Sequence, residues 1–224
     1  MSQVERPEAP MSDLFATAVH RFGNAWADLV VATVVAMAVA TVPVLAVAAT
    51  ASNRATYATS LLCYGIAYFG VLGHVVLRGL PEQAPRGRVA ATYATALLVG
   101  VVAAFAMLSL WFYALVVLPL LLLVVPAVAA GDRALPGALA WGVRLAVANF
   151  RRVWGMWRIT VLFCGPVAIS MFLVVQAFSG SITGTLLALA LTAPIAWPFS
   201  ALFVRALYGD LTGRSVVAPQ DRTG

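Results

Sequence analysis

Groups able to do chemistry are scarce in this chain. Its 224 residues include two histidines, two cysteines and eight acidic residues. Hydrolysis needs a nucleophile within reach of a base, and a metal needs several ligands at defined spacing. His74 stands one helical turn before Arg78, at the end of an apolar stretch. That is the position of a helix-terminal side chain rather than a proton carrier. Cys63 and Cys164 each lie inside an apolar run without metal or disulfide spacing, so packing is their expected role. Gln176, near the end of another such run, is expected to bond to a neighbouring helix. No His-Glu-x-x-His, phosphate loop or Gly-x-Gly-x-x-Gly occurs. The expectation is therefore no enzymatic activity, no catalytic, cofactor-binding or metal-binding residue, and no cofactor.

The elements that must position these residues explain the scarcity. The chain is 62% hydrophobic and 10% charged, with a mean hydropathy of +0.96, whereas a soluble domain carries roughly 25% charged residues. Four windows lack Asp, Glu, Lys and Arg: Leu29–Asn53 with 25 residues, Ala55–Leu77 with 23, Val89–Gly131 with 43 and Ile159–Val204 with 46. About 20 helical residues cross ~30 Å of hydrocarbon. The first two windows each fit one span. The third must turn back near Ser109–Trp111, and the fourth breaks at Ser179-Gly180-Ser181-Ile182-Thr183-Gly184. The fold class predicted is an all-α membrane protein with six transmembrane helices, at 29–49, 57–77, 90–109, 111–129, 158–178 and 185–206. Disordered tails are expected at 1–11 and 215–224. Ser179-Gly180 is similar to the serine motif of rhomboid proteases. However, Ala177 replaces that motif's first glycine, and Ser179 and His74 fall at opposite ends of their spans, ~30 Å apart.

All 14 basic residues are arginine. Six spans put both termini on one side, together with every arginine except Arg54, a ratio of 13 to one. The positive-inside rule makes that side cytoplasmic, in a bacterial inner membrane. The same rule accounts for the pI near 10.0, and nucleic acid is not an expected partner because no basic cluster stands on a polar element. A cleaved signal peptide is not expected, because 28 residues precede the first apolar run.

Two segments are expected to lie flat in the interface. In 12–27, Leu14, Phe15, Ala18, Val19, Phe22 and Trp26 recur at helical spacing, with Asp13, His20, Arg21, Asn24 and Asp28 largely elsewhere, and Ser12 in position to cap the start. In 136–155, Leu139, Val143, Ala146, Val147, Phe150, Val153 and Trp154 form a stripe opposite Arg144, Arg151 and Arg152. With Arg158, these arginines are the candidate contacts to anionic lipid or to a protein partner. Both segments end in Phe-x-x-x-Trp, which aromatic enrichment at interfaces produces. Ala32, Ala36 and Ala40 share one face of the first span and permit close helix packing.

The second half resembles a bacterial group of six-span membrane domains that includes the membrane domain of some glycerophosphoryl diester phosphodiesterases. Three passages carry the likeness. One is Leu118-Pro119 to Val125-Pro126-Ala127-Val128, followed by Gly131-Asp132-Arg133-Ala134-Leu135-Pro136-Gly137-Ala138-Leu139. The second is Asn149-Phe150-Arg151-Arg152-Val153-Trp154-Gly155. The third runs from Pro198-Phe199-Ser200 to Ala206-Leu207-Tyr208-Gly209-Asp210-Leu211-Thr212-Gly213-Arg214, similar to a closing Leu-Tyr-Tyr-Asp-Leu-Arg-x-Arg, with Gly209 and Thr212 departing from it. The resemblance implies a six-span layout and no hydrolytic activity, since the phosphodiesterase domain is absent. Asp210 beside Arg205 and Arg214 reads as an inner-surface ion-pair cluster. The function expected is a non-catalytic inner-membrane scaffold or accessory that contacts lipid, with membrane lipids and a membrane or cytoplasmic protein as partners. The alternative is a membrane transport component, a six-span substrate-binding subunit of an importer, which would need an outward-facing polar cavity.

Overall fold

The computed structural model describes residues 9–80, 84–109, 111–131, 135–179 and 182–213, and their side chains except at 111–115 and 165–190. Eight helices follow in order: α1 (Met11–Thr50), α2 (Asn53–Arg78), α3 (Arg86–Ser109), α4 (Trp111–Leu122), α5 (Val124–Ala130), α6 (Leu135–Ala148), α7 (Phe150–Ser179) and α8 (Ile182–Leu211). The described residues contain no strand, so the all-helical class stands. Among the described residues three helices, α1, α2 and α3, are long and apolar enough to cross a membrane. Residues 1–8 of the expected tail 1–11, the whole expected tail 215–224, Arg214, the turn residue Leu110, and Gly180-Ser181 lie outside the described residues.

The breaks follow from backbone chemistry. α1 is kinked at Ala25, whose φ of −126° and ψ of 16° are not helical, and this kink separates the expected interfacial segment from the first apolar span. Pro10 precedes α1 without a side-chain cap, and Ser12 Oγ turns instead to Asp13 Oδ1 at 3.3 Å. Between α4 and α5 the helix breaks at Leu123, φ −85° and ψ −7°. Pro126 has no N–H to give the Leu122 carbonyl, and its ring crowds that carbonyl. Gly131 closes α5 at a φ of 72°, a left-handed conformation that suits glycine. The expected single helix at 136–155 is divided at Asn149. The Asn149 side-chain amide donates to the Leu145 carbonyl at 3.0 Å while its own carbonyl opens α7 by accepting from Arg152 N at 2.9 Å. An asparagine side chain that competes for backbone partners favours such helix ends.

Cross-helix contacts give the packing directions. Asp28 pairs with Arg78 and Thr41 bonds Tyr64 at 3.0 Å, so α1 beyond its kink runs antiparallel to α2. Gly65 approaches Gly100 and His74 bonds Tyr93 at 3.3 Å, so α2 and α3 are antiparallel as well. Tyr68 bonds Ser200 at 2.7 Å and Arg205 bonds Gly79, which sets α8 alongside α2 in the same direction. The main core gathers Phe69, Leu72, Val75, Leu123, Val125, Val153, Met156, Phe203 and Leu207, with Leu14 and Ala18 of the segment before the kink closing over it. The opposite surface of the long helices is apolar too: Val39 is 69% exposed, Val42 67%, Phe105 62% and Leu162 69%. Such a belt is stable only in an apolar surrounding.

The buried face of α1 is Leu29, Thr33, Met37, Ala40 and Val44. Of the alanine face, Ala32 and Ala36 stay half-exposed and only Ala40 is buried. The close approach occurs elsewhere, between α2 and α3. A Cβ on Gly100 would lie 2.7 Å from Ile66 Cα, while one on Gly70 would meet nothing within 4 Å. Gly100→Ala is expected to force α2 and α3 apart and to lower stability by about 1–3 kcal/mol, as overpacking does. Gly70→Ala is expected to be neutral or slightly stabilising. Thermal unfolding of the two variants in one detergent measures the contrast.

Candidate functional site

Charged side chains collect at one end of the helix array. Here the C-terminus of α2, the first turns of α3 and α7, the end of α8 and the pre-kink part of α1 come together. Three sets of contacts organise this end. In the first, Arg152 Nη1 is ion-paired with Asp210 Oδ2 at 2.7 Å, and the two side chains are only 16% and 17% exposed. Arg152 Nη2 also donates to the Ala9 carbonyl at 2.7 Å, and Ala9 N donates to Asp210 Oδ1 at 3.3 Å. The closed triangle ties the chain before α1 to α7 and α8, so Ala9, expected within a disordered tail, is fixed in place.

In the second set, Arg205 Nη2 donates to the Gly79 carbonyl at 2.5 Å. Gly79 caps α2, so the guanidinium meets the negative end of that helix dipole. The contact is close enough that a Cβ on Gly79 would lie 1.6 Å from Arg205 Cζ. Arg21 is half-buried, its Nη1 has no hydrogen-bond partner, and burial lowers its pKa below the ordinary guanidinium value by disfavouring the charged form. In the third set, Arg78 pairs with Asp28 at 2.6 Å in the open, the side chains 54% and 66% exposed. Such a pair contributes ~0–1 kcal/mol.

The expected site residues separate accordingly. Arg144, Arg151 and Arg158 are exposed. Beside them Phe150 stacks on Trp154 and Trp154 on Trp157, with ring centroids 5.9 and 5.2 Å apart. Arg152 is not with them on the surface, because it is engaged by Asp210. Asp210 and Arg205, expected in one ion-pair cluster, take different partners, and Arg214 lies outside the described residues. Arg21 was expected among the polar residues of an interfacial helix. Its sequence signal, one arginine on the polar side of the 12–27 segment, gives no sign of its partial burial with one nitrogen unpaired.

Besides a smaller groove of ≈ 480 Å³ among α3, α4, α5 and α6, bordered by Arg144, two concavities lie along the apolar length. A cleft of ≈ 970 Å³ opens among α2, α3, α4, α7 and α8, lined in part by Thr56, Ser60, Tyr64, Tyr68, Trp197 and Ser200. Several of its hydroxyls are held: Tyr68 bonds Ser200 at 2.7 Å, Tyr64 bonds Thr41 at 3.0 Å and Ser60 returns to the Thr56 carbonyl at 2.8 Å. A second groove of ≈ 600 Å³ runs between α1 and α2 past Ala32, Ala36 and Ala40 to His74 and Tyr93. Neither lining contains a carboxylate or a guanidinium. Cys164 borders the cleft and Cys63 the groove, both as free thiols. Among the described residues no three His, Cys, Asp or Glu side chains cluster as a metal site would require. The Gln176 side chain lies outside the described ones.

Comparison with protein-family models, with curated proteins and with solved structures finds no match. The arrangement therefore speaks through its own geometry, and neighbouring arginines with opposite environments give the sharpest contrast. Arg152→Ala strands Asp210 and is expected to cost about 3 kcal/mol, the order found when one partner of a buried pair is removed. Arg151→Ala is expected to stay within about 0.5 kcal/mol. Unfolding temperatures of the two purified variants check this.

Proposed function

We propose that the chain is a non-catalytic integral protein of the bacterial inner membrane that binds anionic lipid through the exposed arginines at one end of a six-span bundle. The spans in this reading are α1 beyond its kink, α2, α3, α4 with α5, α7 and α8, and both termini are cytoplasmic. The observation that carries the binding role is the set Arg144, Arg151 and Arg158. These side chains are exposed and have no acidic partner among the described residues, and Arg151 and Arg158 share α7 with the Phe150–Trp154–Trp157 stack. Arginine meets phosphate oxygens with a planar, forked set of donors, and stacked aromatic rings suit the headgroup level. The resemblance of the second half to the six-span group supports the same layout. A protein partner would reach this surface from the cytoplasm or laterally through the bilayer.

A second reading, a substrate-binding component of a transporter, draws on the ≈ 970 Å³ cleft. Hydroxyls that donate to backbone carbonyls, such as Ser60 and Thr160, keep free lone pairs. The cleft so offers acceptors and no charge, which suits a neutral, largely apolar molecule carrying O–H or N–H groups.

Purification from native membranes followed by mass spectrometry of retained molecules separates the two. The first reading expects anionic phospholipid enriched over its share of the membrane. It also expects that enrichment to fall several-fold for each arginine replaced in Arg144→Gln, Arg151→Gln and Arg158→Gln, about 1 kcal/mol apiece. Retained lipid that mirrors the bulk membrane and ignores these substitutions contradicts it. A neutral small molecule retained through the cleft supports the second reading instead.

A further inference from the structure

We infer that the ≈ 970 Å³ cleft binds an uncharged lipid whose head group donates hydrogen bonds, a single-chain acylglycerol being the simplest of that class. The assignment rests on the transport reading in taking the cleft as a ligand site, though it needs no transport step. Thr56, Ser60, Tyr64 and Tyr68 recur at every fourth residue of α2, and all four line the cleft. They therefore share one helix face and stand about 6 Å apart along the axis. Thr160 of α7 and Ser200 of α8 line the same space.

Each hydroxyl has one proton and two lone pairs, and the protons of four of them are already placed. Thr56 donates to the Ser52 carbonyl at 3.2 Å, Ser60 to the Thr56 carbonyl at 2.8 Å and Thr160 to the Met156 carbonyl at 3.0 Å. Thr41 donates to the Met37 carbonyl at 2.8 Å. In its 3.0 Å bond with Tyr64 it has only a lone pair to offer, so Tyr64 is the donor. Thr56, Ser60, Tyr64 and Thr160 thus keep lone pairs and no proton. The 2.7 Å bond between Tyr68 and Ser200 commits one of their two protons and leaves the other. Trp157 and Trp197 also line the cleft, and indole only donates. A glycerol ester matches both sets, with hydroxyls for the lone pairs and a carbonyl for the donors. A carboxylate or phosphate would lose its hydration with no cation in the lining to replace it. Met107, Leu118 and Leu122 make part of the apolar wall, and Tyr57 and Met107 carry the cleft to the exposed apolar surface. An acyl chain gains little by leaving lipid for such a wall. Hydrogen bonds in this low dielectric therefore decide which lipid stays.

The test uses the full chain in dodecyl maltoside with three probes that share one oleoyl chain: mono-oleoylglycerol, methyl oleate and ionised oleate. Native mass spectrometry and unfolding temperature are the readouts. Mono-oleoylglycerol is expected to be retained at one per chain and to raise the unfolding temperature. Methyl oleate keeps the carbonyl but has no donor, and is expected to bind about tenfold more weakly, as is oleate. Ser60→Ala and Thr160→Val each remove an acceptor whose only other bond runs back to its own helix, so both variants are expected to fold as wild type does. Each is expected to weaken mono-oleoylglycerol binding about three- to tenfold and to leave methyl oleate unchanged. Ser60→Leu fills the cleft and is expected to weaken both. The inference is overturned if methyl oleate or oleate binds as tightly as mono-oleoylglycerol, or if neither Ser60→Ala nor Thr160→Val lowers mono-oleoylglycerol binding. Failure of all three probes, with a different neutral molecule co-purifying and lost from Ser60→Leu, overturns it and leaves the transport reading standing. If Ser60→Leu releases nothing and no probe binds, both fall.

Discussion

A guanidinium taken from water into an apolar medium loses several kcal/mol unless something replaces its hydration. In this chain that constraint orders everything else. Most of the arginines that meet the helix array do so at its ends, against groups able to take their donors, while Arg144 borders a groove beside Leu98, Val99 and Val102 of α3. Arg152 has a carboxylate and a backbone carbonyl. Arg205 has the carbonyl at the C-terminus of α2, and Arg88 lies over Gly131, which closes α5. Helix C-termini supply unpaired carbonyls and the negative end of the dipole. An antiparallel array therefore creates cation sites wherever such ends gather. Arg21 is the exception, with one nitrogen buried and unmatched.

The same constraint decides what could be read from the sequence. Charge-free windows mark apolar helices because desolvation forbids charge inside them, and the C-terminus of α1, both ends of α2 and the start of α3 fall within about three residues of the window edges. The break at Ala25 carries no such mark, since alanine is a good helix former and the kink is a tertiary effect. The division at Asn149 was written in its side chain but outweighed by the apolar stripe running across it. Partner choice was not legible at all. That Asp210 takes Arg152 rather than Arg205 depends on how α7 lies against α8, which no local pattern encodes. Likewise the Gly65–Gly100 approach was hidden among many small residues, while the more regular Ala32, Ala36 and Ala40 face borders a groove.

Function divides along the length of the helices in the same way. The charged end has directional, fixed donors suited to anions. The apolar length has a cleft whose lining side chains are neutral, with Ser60, Tyr64, Tyr68 and Ser200 already hydrogen-bonded. A ligand there gains mostly from apolar burial, with few hydrogen bonds to set its orientation. The interior is thus open rather than solid, and the absence of charge from it limits the cleft to uncharged occupants.

All of this depends on the arginine-rich end being the cytoplasmic face of six spans. Single cysteines placed on a background lacking Cys63 and Cys164 test that directly, with a membrane-impermeant maleimide applied to intact and to broken cells. The account predicts that Ser52→Cys and Ser109→Cys react in intact cells, and that Gly87→Cys, Leu135→Cys and Gly213→Cys react only after the cells are broken. Labelling of Gly87→Cys or Leu135→Cys in intact cells, or protection of both Ser52→Cys and Ser109→Cys, would contradict it.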